Sequence, residues 1–208
     1  MHLRTFLTSI VLTAAAITAA HERQHHDFNP ISDQNKVLSS RTIASKRTFE
    51  ATQAALEAAI PMINTTGIDL LREGKYAEAA AAFRALPALS RFIPTRDMGR
   101  LVDYYWNDTY PNVPRNKAVQ WEIGNPYTAS KLVGQAIETA LYAPIRVILI
   151  QEWPSDTPMF FFDRPVSLFG HLKSNKSRAV VQGLDDQLNQ LLLFAGGWPS
   201  RWPVPAMP

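Results

Sequence analysis

The stretch from Lys117 to Gly170 constrains the fold more than any other, because its hydrophobic period changes twice. Over Lys117 to Ile123 the apolar residues Val119, Trp121 and Ile123 alternate with Gln120 and Glu122, the two-residue period of a strand with one buried face. Gly124-Asn125-Pro126 breaks that period. Asn is a good N-cap and Pro a good first helical residue, so the turn launches a helix whose core face is read as Ala129, Leu132, Val133, Ala136, Ile137 and Ala140. Tyr142-Ala143-Pro144 ends it. IRVILIQEW then runs almost continuously apolar and β-branched, the pattern of a central strand buried on both faces. After a turn at Pro154 to Pro158, MFFFD is its antiparallel partner. Arg146 interrupts the apolar run, so it either pairs with a carboxylate such as Glu152 or Asp163 or reaches a ligand anion.

The remaining elements pack around that unit. Val37 to Ala44 reads as a first strand and Lys46 to Ile60 as a helix with Phe49, Thr52, Leu56, Ala59 and Ile63 near one face, limited by Pro61. GIDLLREGKYAEAAAAFRALPAL reads as two helices meeting near Gly74, a hairpin covering the sheet; it looks like a tetratricopeptide turn, but no second copy follows at the required period. SRFIPT is a short strand, Asp97-Met98-Gly99 a turn, Leu101 to Trp106 an aromatic segment and Asn107 to Asn116 a polar loop. Asn175 to Phe194 is a long amphipathic helix that turns Val180, Leu184, Leu188, Leu191 and Leu192 inward, with Gly196 as C-cap. The fold class expected is α+β: a two-layer sandwich, a mostly antiparallel sheet covered by helices, with an inserted helical hairpin. The domain spans 37–196, and 197–208 is a loose proline-rich tail.

Residues 1–20 read as a signal peptide, with a basic start, an apolar run from Phe6 to Ile17, and Thr18 and Ala20 before the cut. The run is too short to span a bilayer and no later segment is longer, so a secreted, extracellular protein without a transmembrane anchor is expected. Residues 21–36 form a polar, flexible lead-in. The chain has no cysteine, so no disulfide or thiol chemistry is available. Sequons at Asn64, Asn107 and Asn175 are glycosylation candidates in an exported chain. The dibasic pair Lys46-Arg47 resembles a processing site, though two solvated cations in a first helical turn are commoner. The formal charge of +3 is scattered and not gathered into a stripe with interleaved aromatics, so nucleic acid is not an expected partner.

WEIGNPYTASKLVGQAIETALYAPIRVILIQE, DRPVSLFG and GLDDQLNQLL together resemble the domain of unknown function 302 family, in its secreted, fungal-type branch, over roughly Leu38 to Ala195. The resemblance implies a compact α/β domain with helices on one face of a mostly antiparallel sheet, often a homodimer, and no known reaction. Members similar to this chain commonly carry Asp-His-Gly where it has Asp97-Met98-Gly99, so an acid-base or metal role for that histidine is absent here.

Chemical signatures are sparse. His171 is the one histidine within the expected domain, and Asp163, Ser167 and His171 crowd one turn, unlike a triad assembled from separate elements. Asp185 and Asp186 are neighbours on a helix that point apart and are solvated. No phosphate loop or metal-ligand spacing is present, so no cofactor or metal is expected. The preferred reading is a non-enzymatic binding or interaction domain. An apolar cleft between the organising stretch and the hairpin, gated by Tyr104, Trp106, Tyr142 and Arg146 with Asp97 and Asp163 nearby, would take a small apolar or anionic ligand. The alternative is a hydrolase-like enzyme using Asp97, Asp163, Arg146 and His171, and a remote one is copper binding through a mature N-terminal His21 with His25 or His26.

Overall fold

The computed structural model describes residues 37–109, 116–172 and 174–203, with the backbone alone over 105–109. Residues 1–36, on which the expected signal peptide and the lead-in with His21 fall, and the end of the tail lie outside the described residues. In chain order the elements are β1 (Ser40–Ala44), α1 (Phe49–Ala59), α2 (Thr66–Arg72), α3 (Tyr76–Arg84), β2 (Ser90–Arg91), β3 (Arg96–Asp97) and α4 (Gly99–Thr109). Then come β4 (Lys117–Gly124), α5 (Pro126–Val133), a 3-10 turn (Ile137–Tyr142), β5 (Ile145–Gln151), β6 (Met159–Asp163), α6 (Pro165–Leu168) and α7 (Asn175–Ala195).

The strands form one six-stranded sheet in the order β1-β6-β5-β4-β2, with β3 also on β4, and every pairing is antiparallel. The architecture is α+β, helices packed on an antiparallel sheet. Register fixes its two faces. Trp121 opposes Val147, which opposes Phe162; Val119 opposes Leu149, which opposes Phe160. All six side chains are buried, and they form the core with α1 and α7. The two helices that pack on the core have a local reason to start where they do. Thr48 caps α1 by accepting from the Ala51 N–H, and Ser174 caps α7 by accepting from Ser177. Val180, Leu184, Leu188, Leu191 and Leu192 of α7 are buried as their spacing requires.

Four expectations need correction. The run IRVILIQ is not buried on both faces: Ile145, Val147 and Leu149 are buried, while Arg146 is exposed and Ile148 and Ile150 are half-buried. A doubly apolar strand can sit in a sheet whose helices gather on one side, and its outward residues then keep partial contact with water. The helix launched at Asn125 does not continue through Ala140. It stops at Val133, Ala136 adopts an extended backbone, and the 3-10 turn leaves Ile137 79% exposed. The turn read at Asp97-Met98-Gly99 gives way to a helix at Gly99, which takes in the aromatic segment and the start of the stretch read as a polar loop, as far as Thr109; Asp97 accepts from the Arg100 N–H at its start. The beginning of the tail is held rather than loose. Trp198 Nε1 donates to the Ala44 carbonyl at 2.6 Å, Lys46 Nζ sits 3.8 Å from the centre of the Trp198 ring, and Arg201 pairs with Asp186 at 3.0 Å.

The hairpin α2–α3 turns at Gly74, which has φ +76, a conformation glycine takes at no steric cost. Its helices close tightly because Gly67 leaves no side chain between them: a Cβ there would overlap the ring of Phe83. The hairpin leans on α5 through α3 rather than simply covering the sheet.

One polar knot ties α1 to the sheet. Glu57 accepts from Thr95 Oγ1 at 2.6 Å, from Gln53 at 3.2 Å and from Trp121 Nε1 at 3.2 Å, with Arg91 3.7 Å away. Burial pushes this carboxyl up, but the three hydrogen bonds and the Arg91 charge outweigh it and hold the group below the ordinary glutamate range. A depressed folded value means the stabilisation is fully present above the ordinary range of about 4.3 and is lost as pH falls through the lower folded value. Urea midpoints followed from neutral to acid pH should therefore fall on the acid side, and Glu57→Gln should flatten that limb. An unchanged limb in the variant would show that Glu57 does not supply it.

Candidate functional site

The turn Gly124-Asn125-Pro126 builds the site. Asn125 Oδ1 accepts from the N–H groups of Tyr127 at 2.7 Å and Thr128 at 3.4 Å, which starts α5, while its Nδ2 donates to the Pro87 carbonyl at 2.8 Å. One side chain thus fixes α5 to the end of the hairpin. Between α5 and α2–α3 lies a cleft of about 490 Å3. Ile123 and Ile145 form part of its floor, Tyr76, Ala80 and Phe83 one wall, and Pro126, Ala129 and Val133 the other. Its size falls within the range of small-ligand pockets, roughly 300 to 1,000 Å3.

Among the described residues the lining contains no carboxylate, lysine, arginine or histidine. Three of its polar side chains are already used within the chain: Asn125 as above, Thr139 Oγ1 donating to the Ala136 carbonyl at 2.8 Å, and Ser130 Oγ to the Tyr127 carbonyl at 2.8 Å. What faces the space is therefore dominated by hydrocarbon and aromatic rings. At its mouth Tyr76 is 72% exposed, and Tyr127 carries two cations on its ring, Arg84 at 5.2 Å and Lys131 at 4.5 Å.

The residues expected to gate a cleft lie elsewhere. Arg146 is exposed on the outward face of the sheet, opposite Glu122, and Glu122 pairs with Arg96 at 3.3 Å. It is paired with neither Glu152 nor Asp163. Tyr142 is half-buried and meets Phe169 edge-on at 6.3 Å, one layer behind the cleft wall. Tyr104 is 82% exposed on α4, and the Trp106 side chain lies outside the described residues.

The carboxylates of the enzymatic alternative do not converge. Asp97 is on β3 and binds Arg100 at 3.2 Å, whereas Asp163 ends β6 and accepts from Ser40 Oγ at 2.6 Å. Three strand spacings separate β3 from β6, roughly 14 Å. Asp97 does border a second, more polar groove of about 550 Å3 with Asp103 and Lys117, where Lys117 is engaged by Glu50 at 2.6 Å. His171 is half-buried in the turn after α6. Asp185 is not solvated: it is buried and forms a two-point pair with Arg164, at 2.7 and 3.3 Å, while Asp186 points away to Arg201. Among the described residues no group of three His, Asp or Glu side chains could hold a metal ion, and no helix is long and apolar enough to cross a membrane. Asn64 and Asn175 are exposed, and the Asn107 side chain lies outside the described residues.

Residue reasoning missed Tyr76, Tyr127 and Arg84. The available signal was the pair of tyrosines beside the two breaks, Lys75-Tyr76 after Gly74 and Pro126-Tyr127 after Asn125.

No family model matches the chain, and no curated protein matches it. Among solved structures it is similar to an uncharacterized conserved protein DUF302 from Bacillus stearothermophilus, with a TM-score of 0.51 and 13% identity, over 75% of this chain and 97% of that one. At that identity the likeness speaks to architecture alone, and this chain has the fold of a DUF302 protein.

Proposed function

We propose that the protein is an exported, non-enzymatic binding domain that takes a small apolar ligand into the cleft between α5 and the hairpin α2–α3. The observation that carries this is the cleft itself: about 490 Å3 of space lined by hydrocarbon and aromatic groups, with Asn125, Ser130 and Thr139 turned to partners within the chain. Apolar area exposed in a concave, rigid-walled site is stabilised by an apolar guest. The export part of the reading rests on residues 1–20. The hydrolase alternative loses support from the separation of Asp97 and Asp163.

Titration with the neutral fluorescent probe N-phenylnaphthylamine tests the site. The wild type should bind it, and Ala80→Trp, which fills the cleft from α3, should weaken binding by about tenfold or more, equivalent to roughly 1.4 kcal/mol, without changing the circular dichroism. Unaltered affinity in that variant, or no probe binding to the wild type, would sink the reading.

A second reading, self-association as a homodimer through the outward face of the sheet, is favoured by the half-buried row of Ile148, Ile150, Met159 and Phe161. Native mass spectrometry of the exported protein distinguishes a bound small molecule from a second copy.

A further inference from the structure

The hairpin α2–α3 is packed as a unit of its own. Among the described residues the hydrophobic core takes in Ile60 and Leu89, just before and just after the hairpin, and no residue between them. The Phe83 ring packs instead on Gly67 of the hairpin itself, so closely that a Cβ there would come within 2.4 Å of it. Both ends of the hairpin are held. At the entry the Ile63 N–H donates to the Arg91 carbonyl at 2.8 Å, and at the exit the Pro87 carbonyl accepts from Asn125 Nδ2 at 2.8 Å. Between those points the hairpin meets the body chiefly where α3 reaches α5, and there Arg84 lies 5.2 Å from the centre of the Tyr127 ring. Neither α2 nor α3 has a side-chain cap, whereas α1, α5 and α7 each have one. A stiff body tied at two points, outside the core and held along its length by one neighbouring helix, belongs to the low-stability end of a structure and is built to hinge.

Resting on the proposed reading of the cleft, we infer that the hairpin is a lid, swinging as one body about Ile63 and Pro87, which the occupant of the cleft draws shut. Each wall is stiff in itself, and one moves against the other. An occupant touching Tyr76 and Ala80 on the hairpin and Pro126 and Ala129 on α5 has both sets of contacts only while the walls are together. That difference in affinity between the two arrangements is what shifts their populations. The Arg84 guanidinium on the Tyr127 ring is the catch that holds the lid before anything enters. Arg84 needs no place in the lining for this, because the ring it rests on borders the cleft.

The chain has no cysteine, so a pair introduced at exposed positions takes spin labels without interference. Ala77→Cys on α3 with Gln182→Cys on α7, which packs against α5, measures the lid against the body by pulsed electron paramagnetic resonance. Ala58→Cys on α1 with Gln182→Cys is the fixed control. The lid pair should give two separations in the free protein, and saturating N-phenylnaphthylamine should leave the shorter one; the control should give one separation in both states. Arg84→Gln should raise the ratio of long to short about two- to fivefold, the strength of an exposed contact between a cation and a ring. Hydrogen exchange tells swinging from melting: amides within α2 and α3 should stay protected in the free protein, since a swing breaks none of their hydrogen bonds. A single lid separation that the bound probe leaves unmoved overturns the inference, while the binding itself keeps the cleft reading standing. Two separations with unprotected hairpin amides also overturn it and indicate that the hairpin unfolds. A wild-type ratio in Arg84→Gln overturns the catch. No binding of the probe at all removes the cleft reading and closure by its occupant together.

Discussion

Asp185→Ala is expected to destabilise the fold by about 3 kcal/mol, read as a lower urea midpoint with an unchanged slope. Asp185 is 3% exposed in the middle of α7 and receives both ends of the Arg164 fork, the contact that fastens the turn after β6 to the long helix. The carboxylate also raises the Arg164 guanidinium further above its usual range, chiefly through the hydrogen bond between them. Removing one partner of a buried pair costs roughly 3 to 5 kcal/mol. The lower end applies because the Arg164 side chain is 28% exposed and water can reach it once Asp185 is gone. Replacing both partners, Arg164→Met with Asp185→Leu, should recover most of the loss, since no charge is then left behind. A single variant within about 0.5 kcal/mol of wild type would show that the pair is ornamental.

Trp121→Ala should cost about 3 to 5 kcal/mol, as large-to-small changes at buried aromatic sites do. Trp121 is wholly buried at the centre of β4, lies 6.4 Å from Phe160 in a tilted arrangement, and donates its indole N–H to Glu57. Trp121→Phe separates the two contributions. It keeps an aromatic body against Phe160 but leaves Glu57 one donor short, so about 1 to 2 kcal/mol of the loss should persist. If Phe proves neutral, the hydrogen bond contributes nothing and Glu57 is satisfied by Thr95 and Gln53 alone.

Much of this architecture was legible in the sequence because the legible parts are repetitive. α7 repeats its apolar positions over 21 residues between Ser174 and Gly196, so period and caps agree. β4, β5 and β6 were readable from their periods and the turns between them. Arg146 was misplaced because a strand apolar on both sides does not say which side the helices will cover. The helix after Asn125 is overextended because Ala136, Ile137 and Ala140 fit the periodic count, while the backbone leaves the helix after Val133. A cleft was expected between the organising stretch and the hairpin, and one lies there. Its rim was not foreseen, since which of Tyr76, Tyr104 and Tyr127 borders it depends on the angle at which the hairpin meets α5, and no local pattern encodes that angle.

The clasp between the two ends of the fold bears on how the chain can be made. Ser40 and Asp163 are joined across 123 residues, and Ala44 and Trp198 across 154. Among the described residues β1 pairs in the sheet with β6 alone, so it cannot settle until residues 159–163 are available, and the loop it closes spans 123 positions from Ser40 to Asp163. During synthesis β1 must wait for β6, and the Ala44–Trp198 bond for the residues beyond α7. The first strand of the sheet to leave the ribosome is therefore the last to find its place in it.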